Sequence, residues 1–332
     1  MGTKIHFLVQ PHLIPQIFSE EVLAEFRKLG EVKIWDGQAA KEFFLSGANI
    51  VITSWGTPKL EGNVLEIAPN LRFIFHAAGT VKPYVQPELL EKGVKVSSGS
   101  NIIARYVALT ALGYILLAVK KIFWWNEHIK NELGWRDDEK LWSYTCELCD
   151  VSIGIISMSS VGRNLINLLL PLTNKIQVYD PYWSEDAIKS FGAKKVDDLV
   201  ELAKNNEIIV LCAPLTEETR GMLGREFFES MKDGGVFINP ARGGIVDEEA
   251  LIKELEKERI FACIDVTDPD EPPSKDNRLR FLKNVVLSPH IAGCVRGGLK
   301  DIGRFALDEI NRFLQGKPLL NEIDLTRWGI LA

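Results

Sequence analysis

The sequence predicts an α/β protein made of a doubly wound parallel sheet and a second, smaller α/β domain. Three observations carry that expectation. From residue 150 onward, short β-branched runs alternate with helical patterns, the signature of βαβ units. The first hundred residues repeat the alternation more loosely. At 332 residues, and roughly 150 residues per domain, the chain has room for about two domains, each with its own core.

In chain order, strands are expected over residues 4–9, 49–53, 72–76 and 94–96, with a helix over 20–29. A long apolar helix over 104–121 then crosses to the larger domain. There the strands fall at 151–156, 175–179, 207–212, 235–238, 260–266 and 284–287. Helices over 161–170, ended by Pro171, and 247–256 separate some of them. A last helix over 297–315 lies beyond the final strand and is expected to return to the first domain. This divides the chain into a discontinuous domain, 1–103 with 297–332, and a continuous one, 104–296.

Composition narrows the classes of function. Apolar residues make up 46% and charged residues 25%, which excludes fibrous and disordered readings. Lysine plus arginine number 39 against 45 acidic residues, a net charge of −6 that offers no broad basic field to nucleic acid or an anionic membrane. The apolar run over 5–9 is too short for a signal-peptide core, and the uncharged stretch over 106–119 reads as a buried helix too short to span a bilayer. Five cysteines at irregular spacings fit a reducing cytoplasm better than a disulfide framework. Residues 123–146 hold Trp124, Trp125, Trp135 and Trp142, half of the eight tryptophans. Such an arm either packs on its own domain or covers a subunit interface, and the interface is the preferred reading.

Two constellations carry chemistry. The strand over 151–156 runs into Ser157, Met158, Ser159, Ser160, Val161 and Gly162 and then a helix, where a dinucleotide-binding turn has G-x-G-x-x-G. Only the third glycine is present, the one that lets helix pack on strand. A serine forced into left-handed backbone costs about 1–2 kcal/mol, although Ser159 and Ser160 can cap the helix, whose amide end favours phosphate. Asp180 ends the next strand, near the spacing at which an acid takes ribose hydroxyls, and no arginine follows it to receive a 2′-phosphate, which favours NAD over NADP.

The second constellation is Arg242, Glu271 and His290, each just past the end of a predicted parallel strand, where open α/β sheets bind ligands. Hydride transfer to a keto carbon needs a proton donor for the oxygen, and a histidine titrating near neutrality serves in either direction. A carboxylate beside it fixes the ring. Arginine offers a planar fork to a substrate carboxylate. Cys146 and Cys149 form a lone C-x-x-C with no partner pair for a tetrahedral metal site, so no metal is expected. Of the remaining histidines, only His76, at a strand end, is expected to approach a ligand.

Taken together, these pieces resemble the D-2-hydroxyacid dehydrogenases, the phosphoglycerate, glyoxylate and D-lactate group, over nearly the whole chain. The most specific matches are residues 214–220 (PLTEETR), 239–247 (NPARGGIVD), Asp265-Val266 with Glu271-Pro272, and 288–293 (SPHIAG). The resemblance implies a Rossmann cofactor domain, a flavodoxin-like substrate domain, and homodimers joined through the cofactor domain. It further implies that Arg242 holds substrate, Glu271 supports the histidine, and His290 is the general acid/base. Cofactor contacts are implied for Ser160, Val161, Gly162, Asp180, Pro214, Thr219, Ala241 and Asp265, and substrate contacts for Ala78 and Gly79. Glu271 sets the chain apart from the formate-oxidising branch, which has glutamine there. Ser157 and Ser159 depart from the family's glycines, and Arg105 stands where an acid is common. The expected activity is NAD-dependent interconversion of a small 2-keto acid and its D-2-hydroxy acid. The alternative is a non-catalytic nucleotide sensor or partner-binding protein of the same fold.

Overall fold

A computed structural model describes residues 2–330. It divides into two compact units, Met1–Ile103 with Cys294–Ala332, and Ala104–Gly293.

The first unit is built on strands β1 (Lys4–Leu8), β2 (Glu31–Ile34), β3 (Ile50–Thr53), β4 (Phe73–His76) and β5 (Lys95–Ser98). They form one parallel sheet in the order β2-β1-β3-β4-β5. β3 and β4 are buried along their whole length, as expected of parallel strands covered on both faces by apolar β-branched and aromatic residues. One face packs Phe7, Phe18 and Phe26 together with Ile302, Ala306 and Ile310 of the helix Gly297–Leu314. That helix comes close enough that a Cβ on Gly303 would lie 2.2 Å from the Ile17 carbonyl oxygen. Glu309, buried on the same helix, accepts from the Ser97 hydroxyl and, at 2.7 Å, from the Leu320 amide, which ties the following segment to β5.

The second unit holds β6 (Ile153–Ile156), β7 (Ile176–Tyr179), β8 (Lys194–Val196), β9 (Ile208–Leu211), β10 (Val236–Asn239), β11 (Phe261–Ile264) and β12 (Val285–Leu287). All seven are parallel, in the order β12-β11-β10-β9-β6-β7-β8. The chain runs outward from β6 through β7 and β8, then crosses to β9 on the other side. The carboxyl ends of β6 and β9 therefore flank the topological switch point, where such sheets bind ligands.

The long helix Ser100–Val119 lays Ala108, Ala111, Ile115, Ala118 and Val119 against this unit's core. At 20 residues and a mean hydropathy of 2.0 it is long and apolar enough to cross a membrane by length and composition. The helix starts four residues before Ala104 and takes in Arg105, and its buried face packs on the core as expected of a core helix. Leu109, Leu116 and Leu117 on the same helix are exposed. The tryptophan arm divides: Trp124 is buried against Phe261, with ring centroids 4.5 Å apart, whereas Trp135 and Trp142 are exposed.

Two strands escaped the sequence reading, β2 and β8. Both are sheet edges rich in charge, EVKI and KKV, and edges lack the continuous apolar run that marks a buried strand. Elsewhere the observed strands are trimmed by a residue or two relative to expectation, except β5 and β10, which run further, to Ser98 and Asn239.

Candidate active site

The residues singled out in the second unit all lie on loops leaving the carboxyl ends of its strands. Beyond β6, Ser157 has φ +85° and so occupies the left-handed position of the first glycine; Ser159 has φ −54° and does not. The backbone strain therefore falls on Ser157 alone. Its hydroxyl donates to Asp180 Oδ2 at 3.1 Å and accepts the Ser159 amide at 3.2 Å. Ser159 is the N-cap of the helix Ser160–Leu169, accepting from the Gly162 amide, and its hydroxyl donates to the Cys212 carbonyl at 2.7 Å. That last bond joins the loops of β6 and β9 across the switch point. Gly162 is required where it stands, since a Cβ there would lie 2.1 Å from the Ser157 carbonyl oxygen. Ser160 accepts from Arg163, and Val161 packs on the core.

Asp180 is buried rather than projecting. Oδ2 accepts the Met158 amide at 2.7 Å as well as Ser157, and Oδ1 accepts the Tyr182 amide at 2.9 Å. Three donors on an acceptor with about four lone-pair sites leave room on Oδ1 for one ribose hydroxyl. Beyond β9, the Thr219 hydroxyl closes its own turn, donating to the Pro214 carbonyl and accepting the Thr216 amide. The Ala241 amide donates to Asn239 Oδ1. A helix N-terminus at the switch point, the close-packed Gly162 and an acid at the end of β7 make a donor and acceptor set that fits a dinucleotide.

Arg242, Glu271 and His290 come together at the far half of the sheet. His290 Nδ1 lies 2.8 Å from Glu271 Oε2, and Glu271 Oε1 accepts the Thr267 amide at 3.2 Å. An ionised carboxylate can only accept, so Nδ1 carries a hydrogen and Nε2 is turned away from the carboxylate. Burial pulls the Arg242 guanidinium below its ordinary value, and the nearby Glu271 charge pushes the other way. A partly desolvated guanidinium beside that carboxylate is one that gains from an anionic ligand.

His290 itself has φ +53°, a left-handed conformation in a residue with a Cβ. Asp265 explains how it persists. This buried aspartate accepts the Ile291 amide on Oδ1 at 3.0 Å and the Ala292 amide on Oδ2 at 2.8 Å, while its carbonyl accepts the His290 amide at 2.9 Å. Sequence reasoning gave Asp265 only a cofactor contact. A carboxylate holding successive amides of the histidine loop has no local sequence signature.

Ala78 and Gly79 lie in the turn after β4 in the first unit. The Ala78 amide is committed to the His76 carbonyl at 2.7 Å. His76 does not reach out toward a ligand: it is fully buried, stacked on Tyr84 and bonded through Nδ1 to the Thr53 hydroxyl at 2.9 Å. Burial pushes its imidazole down to about 3.

Residues 112–292 match the family described as D-isomer specific 2-hydroxyacid dehydrogenase, NAD binding domain. Among curated relatives, the D-3-phosphoglycerate dehydrogenase of Archaeoglobus fulgidus is 32% identical over 320 residues, 94% of this chain, which spans 59% of that protein's length. The hydroxypyruvate reductase of Thermotoga maritima is 31% identical over 76% of this chain and 80% of its own. The apo D-mandelate dehydrogenase of Rhodotorula graminis superposes with a TM-score of 0.83 over 98% of each chain at 21% identity, a likeness of fold.

Proposed function

We propose that this chain, which belongs to the D-isomer specific 2-hydroxyacid dehydrogenase family, interconverts a small 2-keto acid and its D-2-hydroxy acid with NAD as cofactor. The observation that carries the reading is the contact of His290 Nδ1 with Glu271 at 2.8 Å, with Arg242 feeling the same carboxylate. In the reductive direction, Nε2 of His290 gives its proton to the carbonyl oxygen of the substrate; in the oxidative direction it takes the hydroxyl proton back. Glu271 holds the ring through Nδ1 and stabilises the charged imidazolium. Arg242 pairs with the substrate carboxylate and draws electron density from the adjacent carbonyl. NADH, when bound, supplies the hydride to the carbonyl carbon. Residues of the helix Ser160–Leu169 that would hold its pyrophosphate are Ser160, Val161 and Gly162, with Asp180 at the ribose and Pro214, Thr219, Ala241 and Asp265 lining the loops beyond.

The division of labour follows: Ala104–Gly293 is the cofactor domain, and the unit made of Met1–Ile103 and Cys294–Ala332 is the substrate domain, with Ala78 and Gly79 as substrate contacts. The exposed Leu109, Leu116, Leu117, Ile122, Trp135 and Trp142 give the cofactor domain an apolar surface suited to a homodimer in a cytoplasmic setting. The test is an NADH titration followed by tryptophan fluorescence, then a panel of 2-keto acids assayed with wild type and His290→Ala. NADH binding with turnover on at least one keto acid, and a loss of about 100- to 10,000-fold in kcat for His290→Ala, is the expected result. Tight NADH binding with no turnover on any substrate would replace this reading with a nucleotide sensor.

A further inference from the structure

Helix Ser100–Val119 reaches the histidine loop at two points one turn apart. The Thr110 hydroxyl donates to the Ala292 carbonyl at 3.0 Å. The Tyr114 hydroxyl lies 2.6 Å from the Ser288 hydroxyl, which in turn lies 2.5 Å from Asp265 Oδ1. The direction of this chain is fixed by its end. An ionised carboxylate accepts only, so the single Ser288 proton goes to Asp265, and Tyr114 must donate to Ser288. Asp265 then receives Ser288 and the amides of Ile291 and Ala292, the two residues after His290.

We infer that Thr110 and Tyr114 are positioning residues for the proton donor, acting through Ser288, Asp265 and Ala292 to hold His290 in its left-handed conformation. The inference rests on the reading of His290 as the general acid/base.

Three features of the network point past simple packing. Tyr114 and Thr110 share one face of a helix that is otherwise almost wholly apolar there, so neither hydroxyl is needed to build the helix. The loop they grip contains a strained residue, and strain survives only where surrounding bonds over-determine the backbone. Burial and the Asp265 charge push the Tyr114 phenol above its ordinary value, which keeps it a neutral donor in the working range. Both hydroxyls are spent on the histidine loop. Their effect must pass through the place and orientation of the imidazole, and a general acid displaced from its proton acceptor loses transition-state stabilisation without losing ground-state binding.

The experiment is steady-state kinetics of Tyr114→Phe, Ser288→Ala, their double variant, Thr110→Val and His290→Ala, on a keto acid that wild type reduces. Fluorescence-measured NADH affinity and thermal midpoints accompany them. We expect Tyr114→Phe to lower kcat about three- to tenfold, the scale of one hydrogen bond, with KM for the keto acid and NADH affinity unchanged. We expect the double variant to lose no more than the worse of its parents, because both cut one chain. Wild-type kcat in a folded Tyr114→Phe, or fully additive losses in the double variant, overturns the inference. If Tyr114→Phe does not fold, Thr110→Val is read by the same split between kcat and KM. A dead His290→Ala beside a fully active Tyr114→Phe removes only the positioning role, whereas turnover surviving in His290→Ala removes the acid assignment and the inference with it.

Discussion

Two loops of the cofactor domain solve the same backbone problem in opposite ways. After β6, Ser157 sits at φ +85°; after β12, His290 sits at φ +53°; neither is glycine. In each case a buried aspartate from the neighbouring strand, Asp180 beyond β7 or Asp265 beyond β11, accepts amides of the residues that follow. The difference lies in the side chain. Ser157 spends its hydroxyl on Asp180, so the loop is closed upon itself and offers a ligand mainly backbone. Asp265 takes the amides beyond His290 and a neighbouring serine, leaving the imidazole free to meet Glu271. On the proposed reading, the first aspartate shapes a loop for the cofactor, and the second, besides lining the cofactor loops, presents the side chain of the proton donor.

The strongest way to break the comparison is to replace both aspartates by asparagine. Asp265→Asn turns an amide NH2 toward donors that formerly met oxygen. It is expected to cost about 2–4 kcal/mol by urea denaturation, and to lower kcat by roughly 100-fold as the His290 turn relaxes. Asp180→Asn should cost about 1–2 kcal/mol and weaken NADH roughly tenfold, while kcat at saturating NADH stays near wild type. Indistinguishable kinetic profiles in the two variants would abolish the proposed division.

A third strand end sharpens the contrast. His76 closes β4 in the other unit, yet it is buried, stacked on Tyr84 and held at about 3 by desolvation. The unfolded chain binds a proton near pH 6.5 where the folded chain does not, so unfolding takes up a proton between those values. Stability is complete above pH 6.5 and falls as the pH drops toward the folded value, by on the order of 3 kcal/mol at pH 4. His6, also buried and lowered, adds in the same direction. His76→Gln should flatten the dependence of urea-denaturation stability on pH between 6.5 and 4; an unchanged slope would mean that His76 opens to solvent and is not a core residue.

How much of this could be read in the sequence depends on the range of the interaction. The central strands were legible because buried parallel strands are continuous apolar runs, as in residues 208–211 and 261–264. The meeting of Arg242, Glu271 and His290 was legible because parallel topology sends every strand's carboxyl end to one edge. The charged edge strands β2 and β8 were not, since exposed edges carry no such run. Nor were the partners of Asp265 and Asp180. Sequence reading assigned each a cofactor contact, whereas their oxygens are largely taken up by amides and hydroxyls from residues 22 to 27 positions away, with Tyr182 the single local donor. Tyr114 left one faint trace, a hydroxyl in an apolar helix with no need of it.

The smallest effect is the most discriminating. Ser157→Gly removes a left-handed Cβ, worth about 1–2 kcal/mol, and adds chain entropy to the unfolded state, worth about 0.5–1 kcal/mol in the other direction. It also removes the bonds of the Ser157 hydroxyl to Asp180 and to the Ser159 amide, each long and part-buried enough for water to replace, and each contributing about 0.5 kcal/mol. These contributions nearly cancel, so stability by urea denaturation should change by less than about 1 kcal/mol and NADH affinity by less than about threefold. A gain well above that would mean the serine is strained and uncompensated, its tie to Asp180 contributing nothing. A loss of similar size would make that hydroxyl the principal support of the loop. Near-neutrality is the signature of a loop in which the serine's own side chain offsets the strain of its backbone, and that is the arrangement the histidine loop cannot use, because its side chain is needed elsewhere.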